Sequence, residues 1–209
     1  FPYLDFVKEN LKPLPFKIGA QNAFAKSEGA YTGEVSSLMI KDLGASYVIL
    51  GHSERRNHNV ETDYNIFNKV KICLKNGLKV IWCCGESLLQ KEYSMTNKVI
   101  ENQLSYLQPL FLPDSEYDVN NFIIAYEPLW AIGTSNIATP ETINKVHTKI
   151  KETLYSYNKN TSQNVKILYG GSIKANNCRI ISELKNVDGF LVGGTSLKPE
   201  FIDIIRNCS

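Results

Sequence analysis

At 209 residues, with 43% hydrophobic and 21% charged residues and a formal net charge of +2, the chain has the balance of a globular protein in water. No run of Lys or Arg is longer than Arg55-Arg56, which argues against a nucleic-acid or membrane-surface partner, and no apolar run approaches the ~18–20 residues of a transmembrane helix. Five cysteines (Cys73, Cys83, Cys84, Cys178 and Cys208), an odd count with no C-x-x-C pair, fit buried thiols in a reducing, cytoplasmic compartment.

Along the chain one unit recurs: an apolar β-rich run, a Gly or polar turn, then a helical pattern. The runs are 15–23, 46–53, 79–86, 121–128, 165–172 and 188–195. Each is nearly continuous in Val, Ile, Leu, Phe, Tyr and Ala, the mark of strands buried on both faces and therefore parallel. Helices are expected between them. "SSLMIKDLG" (36–44) stops at a glycine. In 61–77, Tyr64, Phe67, Val70 and Leu74 fall about one face, and Gly77 closes the pattern. In 96–111, Val99, Ile100, Leu104 and Leu107 do the same. In 139–160, Thr139 supplies an N-cap and Pro140 the first helical position.

The order β-α-β-α predicts an α/β fold with a parallel sheet. No linker or low-complexity tract divides the sequence, so residues 1–209 are expected to form one domain. No G-x-G-x-x-G turn is present, against a dinucleotide-binding sheet. Every run instead ends in a polar group or glycine: Asn22, His52, Glu86, Glu127, Ser172 and Gly193-Gly194. Such ends converge on one face of a (β/α)8 barrel, where its active sites lie.

Several motifs carry chemistry. In "GHSERR" (51–56), Ser53 is expected to cap a short helix beside His52, whose imidazole at a helix N-terminus resists protonation. Local turn contacts alone also explain such a histidine. Glu127 ends an aliphatic run, a desolvated setting suited to a general base, and Pro128 restricts its backbone. A core-edge glutamate is the plainer reading. The following "LWAIGTSNIA" reads as a lid, with bulky residues at its start and Gly133 free to offer its N–H to an anion. "YGGS" and "VGGT" place paired glycines and a hydroxyl at the last two strand ends, where this barrel often holds phosphate. Turns use such pairs routinely, but two at successive strands are a stronger signal. The loop 21–36 exceeds the usual ~2–6 residues and carries an aromatic, which marks a functional or interfacial segment more than a surface excursion.

"GHSERR", "AYEPLWAIGT", "YGGS" and "VDGFLVGGTSLKPEF", in this order, closely resemble the triosephosphate isomerase family. The resemblance implies a TIM barrel and an enzyme of glycolysis and gluconeogenesis that interconverts dihydroxyacetone phosphate and glyceraldehyde 3-phosphate. Glu127 is then the base and His52 the neutral electrophile, an assignment and a lid-gating pattern that general accounts of pKa tuning and loop closure use as worked cases. Gly133, Ser172, Gly193 and Gly194 would grip the phosphate, and Glu54 would belong to the supporting shell. Pro128, Leu129 and Trp130 would form the first lid hinge, and Asn136, Ile137 and Ala138 the second. The loop around Thr32 would enter a partner subunit, giving a homodimer. No metal or cofactor is implied.

Two departures stand out. The lid reads "GTSNIA" (133–138) where the family has Gly-Thr-Gly-Lys-Thr-Ala, so Ser135 replaces a glycine. The family also opens with a strand carrying substrate-binding Asn and Lys, and no such segment is present in this sequence. Six runs against eight strands imply that about 40 residues, two strands and the first helix, are missing before Phe1. The alternative to an active isomerase is a truncated, non-catalytic relative with a structural or binding role.

Overall fold

The computed structural model describes residues 1–134 and 136–208. In chain order the elements are α1 (Leu4–Leu11), β1 (Gly19–Ala20), α2 (Ser37–Asp42), β2 (Tyr47–Leu50), α3 (Ser53–His58), α4 (Asp63–Lys75), β3 (Lys79–Cys84), α5 (Leu88–Glu92), α6 (Thr96–Ser105), β4 (Phe122–Tyr126), α7 (Pro140–Ser162), β5 (Lys166–Tyr169), α8 (Cys178–Ser182), β6 (Gly189–Phe190) and α9 (Glu200–Asn207). The six strands form one sheet in the order β1 to β6, every neighbouring pair parallel and at least one helix in every connection. A doubly wound sheet reverses its strand order at a switch point. This sheet never reverses, which is the winding of a (β/α)8 barrel.

The apolar runs bury one face of β2, β3, β4 and β5 fully, while Tyr47, Ile49, Ile81, Ile123 and Leu168 on the other face are half-buried, which corrects the expectation of strands buried on both faces. Val48, Leu50, Val80, Trp82, Ile124, Tyr126, Ile167 and Tyr169 are all shielded from water. Above them lie Ile66, Val70 and Cys73 of α4, Ile100 and Leu104 of α6, and Ile143, Val146, Ile150 and Leu154 of α7, in one continuous core. Such positions are each worth ~1.5–3 kcal/mol of burial, and their helical spacing is what seats the helices on the sheet.

Caps follow the sequence closely. Thr139 Oγ1 accepts from Thr142 N, with Pro140 at the first turn. Gly44 and Gly77 adopt φ of +86° and +75° just past α2 and α4. Three expectations need correction. Tyr64 is exposed; the inward face of α4 is Ile66, Val70, Cys73 and Leu74. Helix α6 stops at Ser105, and 108–111 is a 3-10 turn, because Pro109 cannot donate to the preceding turn. The runs 15–23 and 188–195 yield only the two-residue strands β1 and β6, since among the described residues each has one neighbour to pair with.

Candidate active site

The ends of β2, β3, β4 and β5 converge on Glu127. Its backbone is held by bonds from Glu127 N to Cys84 O (2.7 Å) and from Gly170 N to Tyr126 O (2.8 Å). The chains approach so closely that a Cβ on Gly85 would stand 1.8 Å from the Glu127 carbonyl oxygen, and one on Gly170 would stand 2.9 Å from Glu127 Cγ. These glycines let the strand ends close around the glutamate. The carboxyl is 2% exposed, and both oxygens are engaged. Oε2 accepts from Ser53 N at 3.0 Å, and Oε1 lies 3.0 Å from His52 Nε2.

His52 turns the chain from β2 into α3. The expected cap is corrected here: His52, not Ser53, is the N-cap, with its Nδ1 accepting from Glu54 N at 3.3 Å. That leaves the Ser53 N–H free for Glu127. Nδ1 as acceptor leaves the ring proton on Nε2, so a neutral imidazole satisfies both contacts. The expected resistance to protonation is overridden in this arrangement. The hydrogen bond to Glu127 raises the His52 pKa above its ordinary value, burial opposes it, and the charges of Glu127 and Glu54 add to the rise. A carboxylate in contact outweighs the partial charge of a six-residue helix. Glu54 acts through its backbone; its exposed carboxylate stands 3.8 Å from Nδ1.

The arginines of "GHSERR" are structural. Arg56 donates to Gly51 O (2.7 Å), Asp63 Oδ1 (2.5 Å) and Cys83 O (2.8 Å), tying α3 to the ends of β2 and β3. Arg55 and Lys69 both donate to Glu61 Oε1 at 2.7 Å, and Lys69 also reaches Asn22 Oδ1 at 3.0 Å. Asn22, a polar strand end by sequence, is therefore spent on this buried network.

The segment after Glu127, expected from the sequence to be a lid, is anchored at its start. Trp130 Nε1 donates to Glu86 at 2.8 Å, Tyr126 Oη donates to the same carboxyl at 3.1 Å, and Lys91 Nζ sits 3.2 Å from the centre of the Trp130 ring. Burial pushes the Glu86 pKa up, and the Trp130 and Tyr126 bonds pull against it. Pro128 and Leu129 lead into this anchor, with Leu129 N donating to Glu86 O. The tip is open: Gly133 has φ +65° and nothing within 4 Å of a Cβ position. Thr134 Oγ1 donates back to Trp130 O and accepts from Asn136 N. Ile137 is exposed, and Ala138 is buried. Ser135 lies outside the described residues.

The two glycine pairs differ. Gly170 and Gly171 are glycines for packing, since a Cβ on Gly171 would meet the Tyr169 hydroxyl at 2.1 Å. Gly193 and Gly194 stand clear, with nothing within 4 Å. Ser172 follows β5 and Gly193-Gly194 follow β6, neighbours through the Tyr169–Phe190 pairing. Ser172 is half-buried, and its carbonyl accepts from Asn177 Nδ2. The structure thus brings Glu127, His52 and Ser53 into contact, while Ser172 and Gly193-Gly194 follow two neighbouring strands and Gly133 has open space at its Cβ position. Thr32 is exposed in a loop closed at its base by Phe24 N to Val35 O.

Sequence reasoning missed Gly85, the Glu86–Trp130 anchor and a second histidine. His147 on α7 is fully buried, its Nδ1 on Asn186 O at 2.8 Å, and burial pushes its pKa down to about 4. Its Nε2 and the Tyr169 hydroxyl have no hydrogen-bond partner among the described residues.

A family profile described as triosephosphate isomerase matches residues 1–208. Curated proteins of that name are similar throughout. The one from Neurospora crassa is 48% identical over 205 residues, 98% of this chain and 81% of the relative. Those from Zygosaccharomyces bailii and Yarrowia lipolytica are 47% and 45% identical, covering 100% and 99% of this chain and 82% of each relative.

Proposed function

This chain belongs to the triosephosphate isomerase family, and we propose that Glu127 and His52 carry out the family's proton transfers in it. The enzyme is an isomerase of glycolysis acting on a triose phosphate. One observation carries the assignment: a carboxylate 2% exposed, held between a backbone N–H and an imidazole N–H at the convergence of four strands.

The mechanism follows from that geometry. Substrate entering between Glu127 and His52 takes over their shared contact. Glu127 removes a carbon-bound proton at C1 of dihydroxyacetone phosphate, and the negative charge passes to the carbonyl oxygen. His52 Nε2–H donates to that oxygen, and a neutral ring then shuttles the enediol protons. Glu127 returns the proton at C2. Parting Glu127 from His52 removes the contact that raises the imidazole's pKa, so the neutral donor is favoured in the complex.

The phosphate rests on Ser172, Gly193 and Gly194, with Gly133 delivered by lid closure. The open Cβ positions of Gly133, Gly193 and Gly194 support this, since unobstructed N–H groups suit an anion. Closure of 128–138 excludes water from the enediolate, which otherwise loses phosphate. The exposed Thr32 loop supports a homodimer contact, and free cysteines suit a cytoplasmic location. One continuous core supports a single domain over 1–209, and no residue role here calls for a metal or cofactor.

The test is steady-state isomerisation by Glu127→Asp in the full-length protein. Retracting the base by about 1 Å should lower kcat ~10²-fold or more. Near-normal turnover would remove Glu127 from the role of base.

A further inference from the structure

Two cysteines far apart in the chain meet near the C-terminal helix. Cys178 opens α8 and is fully buried, while Cys208 follows α9 and is partly exposed. Cys178 Sγ points at the end of α9: it lies 3.5 Å from Ala175 O and 3.9 Å from Ile204 O, one helical turn before Cys208. Asn207 Nδ2 shares the Ala175 acceptor at 2.9 Å. Cys208, whose N–H donates to Ile205 O, ends the turn that starts at the Ile204 carbonyl approached by Cys178 Sγ, so the two cysteines are neighbours across the α8–α9 contact. The remaining cysteines, Cys73, Cys83 and Cys84, are buried in α4 and β3.

We propose that Cys178 and Cys208 are a site of reversible oxidation, closing to a disulfide that ties the end of α9 to the start of α8. The oxidant is a peroxide of the hydrogen peroxide class. The partly exposed Cys208 thiolate attacks it first. A sulfur–oxygen bond forms, the oxygen–oxygen bond breaks, and water leaves with the thiol's proton, giving a sulfenic acid. Cys178 then displaces the hydroxyl. The sulfur–sulfur bond forms, the sulfur–oxygen bond breaks, and a second water leaves with the Cys178 proton. Two thiols and one peroxide become one disulfide and two waters, the sulfurs losing two electrons that the peroxide gains.

The order follows from access. Burial pushes the Cys178 thiol's pKa up, with Cys208 adding to the rise, so Cys178 is the poorer first nucleophile and the natural resolving partner. The bond would also brace the loop before α8. Asn177 of that loop donates to Ser172 O, and Glu200 of α9 accepts from Ala175 N. The strand-end loop and α9 already hold one another there, and the disulfide makes that link covalent. It closes a 178–208 loop in the unfolded chain, which raises stability.

The test is to treat the full-length protein with hydrogen peroxide, then map peptides without reductant and measure Tm. The expected product is lighter by two hydrogens, carries a Cys178–Cys208 cross-link, melts several degrees higher, and reverts with dithiothreitol. Cys208→Ser, a change at a partly exposed position, should give no cross-link and no gain in Tm. Cys208 driven to sulfinic acid while Cys178 stays reduced would overturn the proposal, as would the same Tm gain in Cys208→Ser.

Discussion

Glu127 is 2% exposed and touched on both oxygens; six residues on, Gly133 stands in open space with nothing within 4 Å of its Cβ position. The two ends of one short segment are in opposite physical states. The Glu127 end is tightly packed among four strand ends: Gly85 and Gly170 lack the Cβ atoms that would clash with it, and Arg56 ties α3 to the ends of β2 and β3. The Gly133 end is open around its Cβ position and is tied back through the Glu86–Trp130 bond and the Thr134 Oγ1 bond to Trp130 O. Positioning a base needs tenths of an ångström, whereas holding a phosphate under a lid needs a surface that opens and closes.

Substitution of glycines in the two regions probes the contrast most strongly. Gly85→Ala would place a methyl 1.8 Å from the Glu127 carbonyl oxygen and should cost on the order of 4 kcal/mol in urea unfolding, with activity lost alongside. Gly194→Ala meets nothing and should change stability by less than about 0.5 kcal/mol while raising KM. Equal costs at both positions would erase the distinction.

The histidines give a smaller, pH-dependent version. His147 has a folded pKa of about 4 against the ordinary 6.5, so the unfolded chain binds the proton first as acid is added. Stability from this group is whole above about pH 6.5 and is lost as pH falls toward 4, about 2 kcal/mol of it by about pH 5. His52 has the opposite sign: its raised pKa contributes stability below 6.5 that is lost as pH rises through the folded value. Urea titrations of wild type and His147→Gln near pH 5 and pH 7.5 should show the acid loss flattened in the variant. An unchanged slope would assign the acid sensitivity to other groups.

The smallest effect expected is at the phosphate. Ser172→Ala should raise KM about tenfold, or ~1.4 kcal/mol, with a lesser change in kcat. The reverse pattern would move Ser172 from binding into chemistry.

What the sequence revealed divides along the same line. Continuous apolar runs announced parallel strands, Thr139-Pro140 announced the start of α7, and the motifs announced the family, because each is written in neighbouring letters. Gly85 was illegible: its reason is a carbonyl forty-two positions away that comes near only when β3 and β4 pair. The Glu86–Trp130 hinge joins two strand ends in the same manner. The cap on α3 was misassigned because Ser53 is the better capping residue in isolation. In the fold its N–H is needed by Glu127, and His52 takes the capping position. Gly170-Gly171 read as an anion cradle for the same reason, whereas close packing against Glu127 and Tyr169 explains them.

The central claim, that the Glu127 carboxylate moves the carbon-bound proton, is tested most directly by deuterium exchange. Dihydroxyacetone phosphate is incubated in D2O with wild type or Glu127→Gln, and loss of the C1 proton signal is followed by NMR. Wild type should exchange that proton during turnover, and Glu127→Gln, which keeps the shape without a basic oxygen, should abolish both exchange and isomerisation while still binding a phosphorylated inhibitor. Exchange at the wild-type rate in Glu127→Gln would contradict the account and assign the base elsewhere.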